Sequence, residues 1–559
     1  MGSQVPVQIV PGVYIPKQDA NAQIAINNVI ATIGRGDIYF DDADYVCSGP
    51  INWVPGIRMF GVPPTWNNSG NSNTLDDSRV FKSGTRFLGD YTGNYDCFTA
   101  NNTDLGSPPV GFSNTAVSNV HLRDCAIEGF RYPIKVGGVN NPGLFGSSLH
   151  NIWLTKNTMP LELHNFSRLD LSNLFCTDQT DGVDGGMRFV SSVAQGTFIP
   201  GKSVFKQFQV HRRYLKNRGL RFEALAGCNL QGIEANKLEV SAYYQAAFTQ
   251  NATYTSGSAN ITVTDGTQYL VGYAVVPTAT QYGFIAGWTY FVTSVVGNVI
   301  TLSNRINGLT NVLATGSGTV TNGLKTGGFP CMTMAAFDGV ATGIDSCHFL
   351  GVTLAGSPSG SGTGIVAQSL YNSTIGMSSI LGGFENHLVI HGSTTSSVHA
   401  STSNLSTDFD DAAYLTHYIG NGRGTINNRR GWGTWDGHQN GEENMSVARG
   451  ADAQLGGPTG QAVIAYGPGF IYTNANSLFG QIQISTGGSA ITAGGLLATV
   501  TTANAKEWFI VSFSAQNAAA QGIIGSCHQN YDYRTNSFDL ICDTALAINT
   551  VYNIVYKSI

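Results

Sequence analysis

The segments SNVHLRDCAIEGF (118–130), SSLHNIWLTKN (147–157), SRLDLSNLFCTD (167–178), SVFKQFQVHRR (203–213), CNLQGIEANKLEV (228–240), IDSCHFLGVTL (344–354) and YNSTIGMSSIL (371–381) repeat one design. Each begins polar, passes through alternating apolar residues and loosens into glycine, which is how one turn of a solenoid reads. Alternation sends one set of side chains into a core and the other into solvent, so stacked rungs build exposed columns. The expected fold class is all-β, with a parallel β-helix at its centre. Cys125, Cys176, Cys228 and Cys347 recur at related places in these segments and are expected to form an internal ladder.

Composition agrees with that reading. Hydrophobic residues make up 42 % of the 559, which excludes disorder, while charged residues make up only 11 %, against roughly 25 % in an ordinary globular protein. A formal net charge of -6 supplies no general attraction to nucleic acid or an anionic membrane. The nine cysteines include no CxxC pair and fit buried, reduced thiols better than a disulfide scaffold or zinc site. No nucleotide, serine-hydrolase, zinc-protease or calcium-loop motif is present, so neither cofactor nor metal is expected. No apolar run reaches membrane-spanning length, and no basic region precedes an apolar leader. Met1-Gly2-Ser3 reads as an added leader, so a further natural N-terminal segment is expected.

Outward from the rungs, residues 1–60 read as a cap. Ile24, Ile26, Val29, Ile30 and Ile33 recur near helical spacing after Asp19, a suitable N-cap, and Gly34 and Gly36 end the helix. Short strands follow at Ile38–Phe40, Tyr45, Ile57–Phe60 and Phe87–Leu88. The β-helix is assigned to 61–249 and 329–420. Residues 250–328 break the pattern with short strands and turn signals at Asp265-Gly266 and Gly297-Asn298, and are expected to form an inserted β-module. Tyr269, Tyr282, Trp288 and Tyr290 in it suit either sugar stacking or core packing, and packing is the simpler role. Residues 421–444, rich in Gly, Asn and Arg, read as a linker, and 445–559 as a β-sandwich.

The helix, glycine break and I-Y-F strand at 20–40 resemble the opening unit of pectate-lyase-like right-handed β-helices, although Asp41-Asp42-Ala43-Asp44 stands where that family often has a Pro-Gly turn. ATVTTANAKEWFIVSFSAQNAAAQG (498–522) and NSFDLICDTALAINTVYNIVYKSI (536–559) resemble the C-terminal jelly-roll modules of bacteriophage tailspikes. This resemblance, to tailspikes and capsule depolymerases, implies a homotrimer in the virion tail. Its implied activity is binding and cleaving a bacterial capsular or O-antigen polysaccharide, most simply by glycoside hydrolysis. It also implies attachment to the phage tail or baseplate through an N-terminal segment, and no nucleic-acid or membrane partner.

Charge concentrates where such chemistry would need it. Between Arg212 and Glu239 nine of 28 residues are charged. Aligning Leu174 with Phe208 and Leu230 as stacked core positions places Asp178, Arg212 and Glu234 in one column. Acids two rungs apart would lie about 10 Å from each other, at the upper edge of the inverting range. Glu239, Asp181 and Asp184 are the replacements if the register slips. Arg212, Arg213, His211, Tyr214 and Tyr243 are the expected substrate contacts, and Arg212, Arg213, His211 and Tyr214 would also serve a lyase. Structural readings stand beside these: the aspartates of CTDQTDGVDGG suit an Asx-rich turn, and Glu234 facing Arg212 suits a plain ion pair. Asp338, Asp345 and Glu385 form a second acidic set with few cations near it.

Overall fold

The structure, a computed structural model of the chain, describes residues 12–391 apart from 19, 69–78, 101–116, 139–142, 178–183, 193–199, 226, 243–246, 307, 309–310, 338–342, 357–361 and 382–383, together with separate segments after 395. It divides into two units. The first holds residues up to 395 with 404–413 and 425–430, and the second holds 396–403, 414–424 and 431–559.

The first unit is a parallel β-helix. Its long strands stack in the order His121–Glu128, Ser148–Thr155, Asp170–Thr177, Gly201–His211, Leu230–Ser241, His348–Ala355 and Thr374–Leu381. A second sheet stacks the short strands Ile134–Val136, Leu161–His164, Met187–Ser191, Leu220–Ala224, Met332–Ala336, Thr363–Gln368 and Asn386–His391. It continues through Ser406–Phe409 to Arg423–Asn428. Arg423–Asn428, expected in the linker, is therefore a further parallel strand.

Five of the seven long strands are bent in mid-strand at a left-handed non-glycine residue: Asp124, Asn151, Asn173, Gln207 and Lys237 have φ between 54° and 60°. The bend residue drops out of the pairing, so Arg123 meets His150 while Cys125 meets Ile152. Asparagine suits the position because its short side chain tolerates this backbone. Asn151 Nδ2 donates to Asp124 Oδ1 at 2.7 Å, and Asn173 Nδ2 to Asn151 Oδ1 at 2.9 Å. On either side of the bend, alternation resumes and fills the interior. Phe189, Phe205, Phe208 and Phe222 are fully buried with centroids 4.8–5.9 Å apart, each stabilising the coil by roughly 1.5–3 kcal/mol through area removed from water. Coils also approach closely: a Cβ on Gly201 would lie 1.8 Å from the Gln231 carbonyl oxygen.

Eight of the nine cysteines are buried and all are free thiols, but the expected ladder is absent. Cys125 pairs with Ile152 and Thr85, whereas Cys176 pairs with Leu154 and Val210, a different column. The helix Ala22–Ile33 caps the first coils, burying Ala22, Gln23, Ile26 and Ile30 and ending at Gly34. Its N-cap residue is Asn21; Asp19 lies outside the described residues. Ile24, counted on the apolar face, is exposed.

Between coils, Gln231 and Asp345 stand side by side although 114 residues separate them. That interval holds a closed six-stranded barrel of Phe248–Tyr254, Asn260–Val263, Val299–Ser303, Tyr290–Val296, Ala274–Pro277 and Gly318–Thr326. Gly297-Asn298 makes the two-residue hairpin, Val296 facing Val299, with Gly297 left-handed at φ 57° as such turns require. Asp265-Gly266 does not form a hairpin. Asp265 instead accepts from Thr267 N and caps a 3-10 turn. Tyr269 and Tyr290 lie in the barrel core, and Tyr282 and Trp288 pack against it.

In the second unit, Leu478–Ser485, Val551–Ser558 and Val511–Ala515 form an antiparallel sheet, and Gly495–Thr501, Ser537–Cys542 and Cys527–Asp532 form another. Among the described residues, no helix is long and apolar enough to cross a membrane.

Candidate functional site

The mid-strand bends decide which side chains share a column. Leu174 does pair with Phe208, but Phe208 pairs with Leu238, not Leu230. Glu234 therefore lies level with Val204, Asp170 and His348, and Arg212 and Glu234 do not share a column. Alignment on Leu230 started eight residues early, because that strand runs through its bend at Lys237 before reaching the limb that faces Phe208. Glu234 itself is exposed.

Arg212 is also not where a substrate would meet it. Only 2 % exposed, it donates from Nε to the Asn217 carbonyl at 2.8 Å and from Nη1 to the Phe329 carbonyl at 2.6 Å. It ties the coil to the chain returning from the barrel. Buried and bonded in this way, it is a structural residue. Asn217 Oδ1 accepts from the backbone of Arg213 and Tyr214, at 3.3 and 2.9 Å, and the Arg213 guanidinium lies 5.7 Å from the Tyr214 ring centre. Asp178, Asp181, Tyr243 and Asp338 lie outside the described residues.

The structure brings together Glu239, His211 and Gln209 on the outward face. The second limb of each long strand presents the column Ala126, Trp153, Phe175, Gln209, Glu239 and Thr353. Gln209 Nε2 donates to Glu239 Oε2 at 2.9 Å, and His211 Nε2 lies 4.0 Å from Glu239 Oε1. The ring of His211 meets Phe175 edge-on at 4.8 Å, Phe175 lies 4.2 Å from Trp153, and Trp66 stacks on Trp153 at 5.1 Å. Trp66 arrives from the hairpin Thr65–Asn68 and Arg79–Ser83. An aromatic ladder thus runs into a partly exposed carboxylate with an imidazole beside it. Phe175 is buried, so the rings that can meet a sugar are the half-buried Trp66 and Trp153, while the carboxylate and imidazole can exchange protons at neighbouring oxygens. The strand Asp170–Thr177 ends beside it, since Cys176 pairs with Val210.

A second charged cluster, not anticipated from the long-strand rungs, lies on the outward face of the short strands. Glu162, Arg188 and Arg221 occupy one column, and Val190 and Glu223 the next. Arg188 bridges two acids, Nη1 to Glu162 at 3.0 Å and Nε to Glu223 at 2.7 Å. His164 Nε2 lies 2.9 Å from Glu162, and Arg221 lies 2.9 Å from Asp184. Burial would raise the proton affinity of Glu162, but the His164 hydrogen bond and the Arg188 charge outweigh it and hold its carboxyl down to about 2. In Glu223, likewise, burial is overcome by Arg188 and Arg221 and the carboxyl titrates below its ordinary range. Two acids flanking one cation is the arrangement sought at Asp178–Arg212–Glu234, but here both acids stay ionised and bonded, which suits a brace rather than a proton donor. The signal was readable: LELH, MRFVS and LRFEA each carry a charge between two apolar residues.

The two described acids of the second set are also engaged. Asp345 accepts from Gln231 and Asn372 at 3.1 Å each, and Glu385 pairs with Lys325 of the barrel.

No family model and no curated protein matches the chain. Solved structures similar to it include the tailspike protein of E. coli bacteriophage HK620 in complex with a pentasaccharide, at 8 % identity and TM-score 0.27, covering 96 % of this chain and 89 % of that one. ORF18 of Geobacillus virus E2 is 10 % identical at TM-score 0.28, covering 82 % and 67 %. The catalytic domain of a GH87 alpha-1,3-glucanase in complex with nigerose is 12 % identical at TM-score 0.29; 76 % of this chain is covered, and the chain spans 66 % of the glucanase, just under two thirds. Likenesses this distant say nothing about the site, whose reading rests on the side chains described above.

Proposed function

We propose that the chain is a phage tailspike that binds and depolymerises a bacterial capsular or O-antigen polysaccharide, acting as a homotrimer of the virion tail at the bacterial surface. The observation that carries the reading is the line Trp66, Trp153, Phe175, His211 and Glu239 on one outward face of the β-helix. Aromatic rings offer apolar platforms to the faces of sugars, and the carboxylate stands at the end of the platform. Hydrolysis needs a second acid, which this reading assigns to Asp178 or Asp181 in the segment that follows Thr177. Gln209 orients Glu239, and His211 binds a sugar hydroxyl next to it.

A lyase is the second reading, favoured by the 4.0 Å approach of His211 to Glu239, since an imidazole paired with a carboxylate is a competent base. Incubating a matching purified capsule with the protein and weighing the released oligosaccharides tests both. Hydrolysis adds one water per cleavage, whereas a lyase leaves an unsaturated sugar that absorbs in the ultraviolet. Glu239→Gln should abolish cleavage by either route. Full cleavage by that variant would overturn the site, and a capsule bound without shortening would make the protein an adhesin.

A further inference from the structure

At the corner where each coil enters its long strand a second set of left-handed residues is stacked: Asn119, Gly146, Arg168, Lys202, Gly232, Ser346 and Asn372, with φ between 47° and 68°. Backbone bonds run from coil to coil along it, Asn119 N to Phe145 O at 3.0 Å, Gly146 N to Ser167 O at 3.1 Å and Arg168 N to Gly201 O at 3.2 Å. The corner therefore imposes this backbone whatever the side chain. Glycine or asparagine meets it at little cost, whereas a long side chain there costs roughly 1–2 kcal/mol. The two residues that depart most from this chemistry, Arg168 and Lys202, stand on adjacent coils, and both are exposed.

Both also line a trough of about 630 Å³, with Asn119, Phe145, Ser167 and Gln231 along its other walls. That volume lies in the range of ligand sites. Among the described residues no carboxylate lines it; Asp345 stands behind its wall, held by Gln231 Nε2 at 3.1 Å, so the two cations are the charged groups that face the trough itself. The trough runs across consecutive coils spaced about 4.8 Å apart, so an extended ligand lying along the solenoid meets both cations in turn. It opens at the corner before the long strands, away from the limb that carries Glu239.

We propose that this trough is an acidic-glycan subsite, in which Arg168 and Lys202 bind carboxylates of successive sugars while Asn119, Ser167 and Gln231 bond their hydroxyls. The inference rests on the reading of the protein as polysaccharide-binding but does not depend on Glu239. The test is the double variant Arg168→Asn with Lys202→Asn, because asparagine suits the corner and keeps the fold. Wild type and variant are titrated calorimetrically with an alginate hexasaccharide as the uronate probe and a dextran hexasaccharide as the neutral control, at low and high salt. Wild type should prefer the uronate probe, with affinity that falls as salt rises. The variant should lose about ten-fold or more of that affinity through two charge-assisted contacts, with an equal or higher Tm. No uronate preference in wild type, or unchanged affinity in the variant, overturns the proposal. Capsule cleavage by Glu239→Gln is read separately: cleavage retained there with uronate binding lost here would remove the assigned catalytic site and keep the subsite.

Discussion

The two outward faces of the β-helix are built alike and covered differently. Both carry alternate residues of parallel strands, and both hold acids and histidine. On the long-strand face, Glu239 is partly exposed beside His211 and an aromatic ladder. On the short-strand face, Glu162 and Glu223 are buried around Arg188, and beside them the barrel packs Ala274, Phe291 and Ile306 against Ala335, Val366 and Val389. What covers a column thus decides whether its charges stay open to solvent or brace the fold. A charge removed from water must be paired inside the protein, and once fully paired it has little capacity left for chemistry.

The comparison breaks most readily at the acids. Glu239→Gln should lower the rate of capsule cleavage by about 10²–10⁴-fold with an unchanged Tm, measured by product release and calorimetry. Equal loss of both would move Glu239 to the structural side. Arg188→Ala should do the reverse, destabilising by about 3–5 kcal/mol because two buried carboxylates lose their partner, with cleavage at low temperature retained. Urea unfolding measures it, and a variant as stable as wild type would show that the short-strand cluster is no brace.

Acid titration sharpens the same contrast. The Glu162 carboxyl is lowered from 4.5 to about 2, so its contribution to stability is complete above the unfolded value and is lost as pH falls through the folded one. That amounts to at most about 3 kcal/mol. Glu162→Gln should therefore flatten the dependence of urea stability on pH between about 5 and 2. A curve as steep as wild type would assign acid sensitivity to other carboxylates. Smallest is Trp66→Ala, which removes one stacked ring from outside the solenoid core. Stacking of this kind is worth about 0.5–1.5 kcal/mol, so KM for oligosaccharide should rise a few-fold with kcat little changed. A fall in kcat alone would place Trp66 outside the binding platform.

The fold class was legible because burial on one face forces apolar residues to alternate, and the rungs from 118 to 381 show that alternation directly. The hairpin at Gly297-Asn298 was legible for a local reason, its need for a left-handed glycine. The columns were not. Asp124, Asn151, Asn173, Gln207 and Lys237 each insert a residue that belongs to neither face, so counting by two fails halfway along those five strands. Neighbouring coils also differ in length: Leu169 bonds to Ser203 across 34 residues, but His150 to Ser172 across 22. Arg212 looked like a ligand contact because charge in a sequence suggests solvent, and only the returning chain at Phe329 shows where its donors go.

Sequence by itself therefore determined the strand-rich class, the rung pattern and the presence of a separate module between rungs, all set by near-neighbour periodicity. Tertiary structure alone decided which charges share a column, which are covered, and that Glu239 rather than Glu234 stands beside His211. Those depend on the register between coils 22 to 114 residues apart, and inter-coil hydrogen bonds fix it only once the bends are in place.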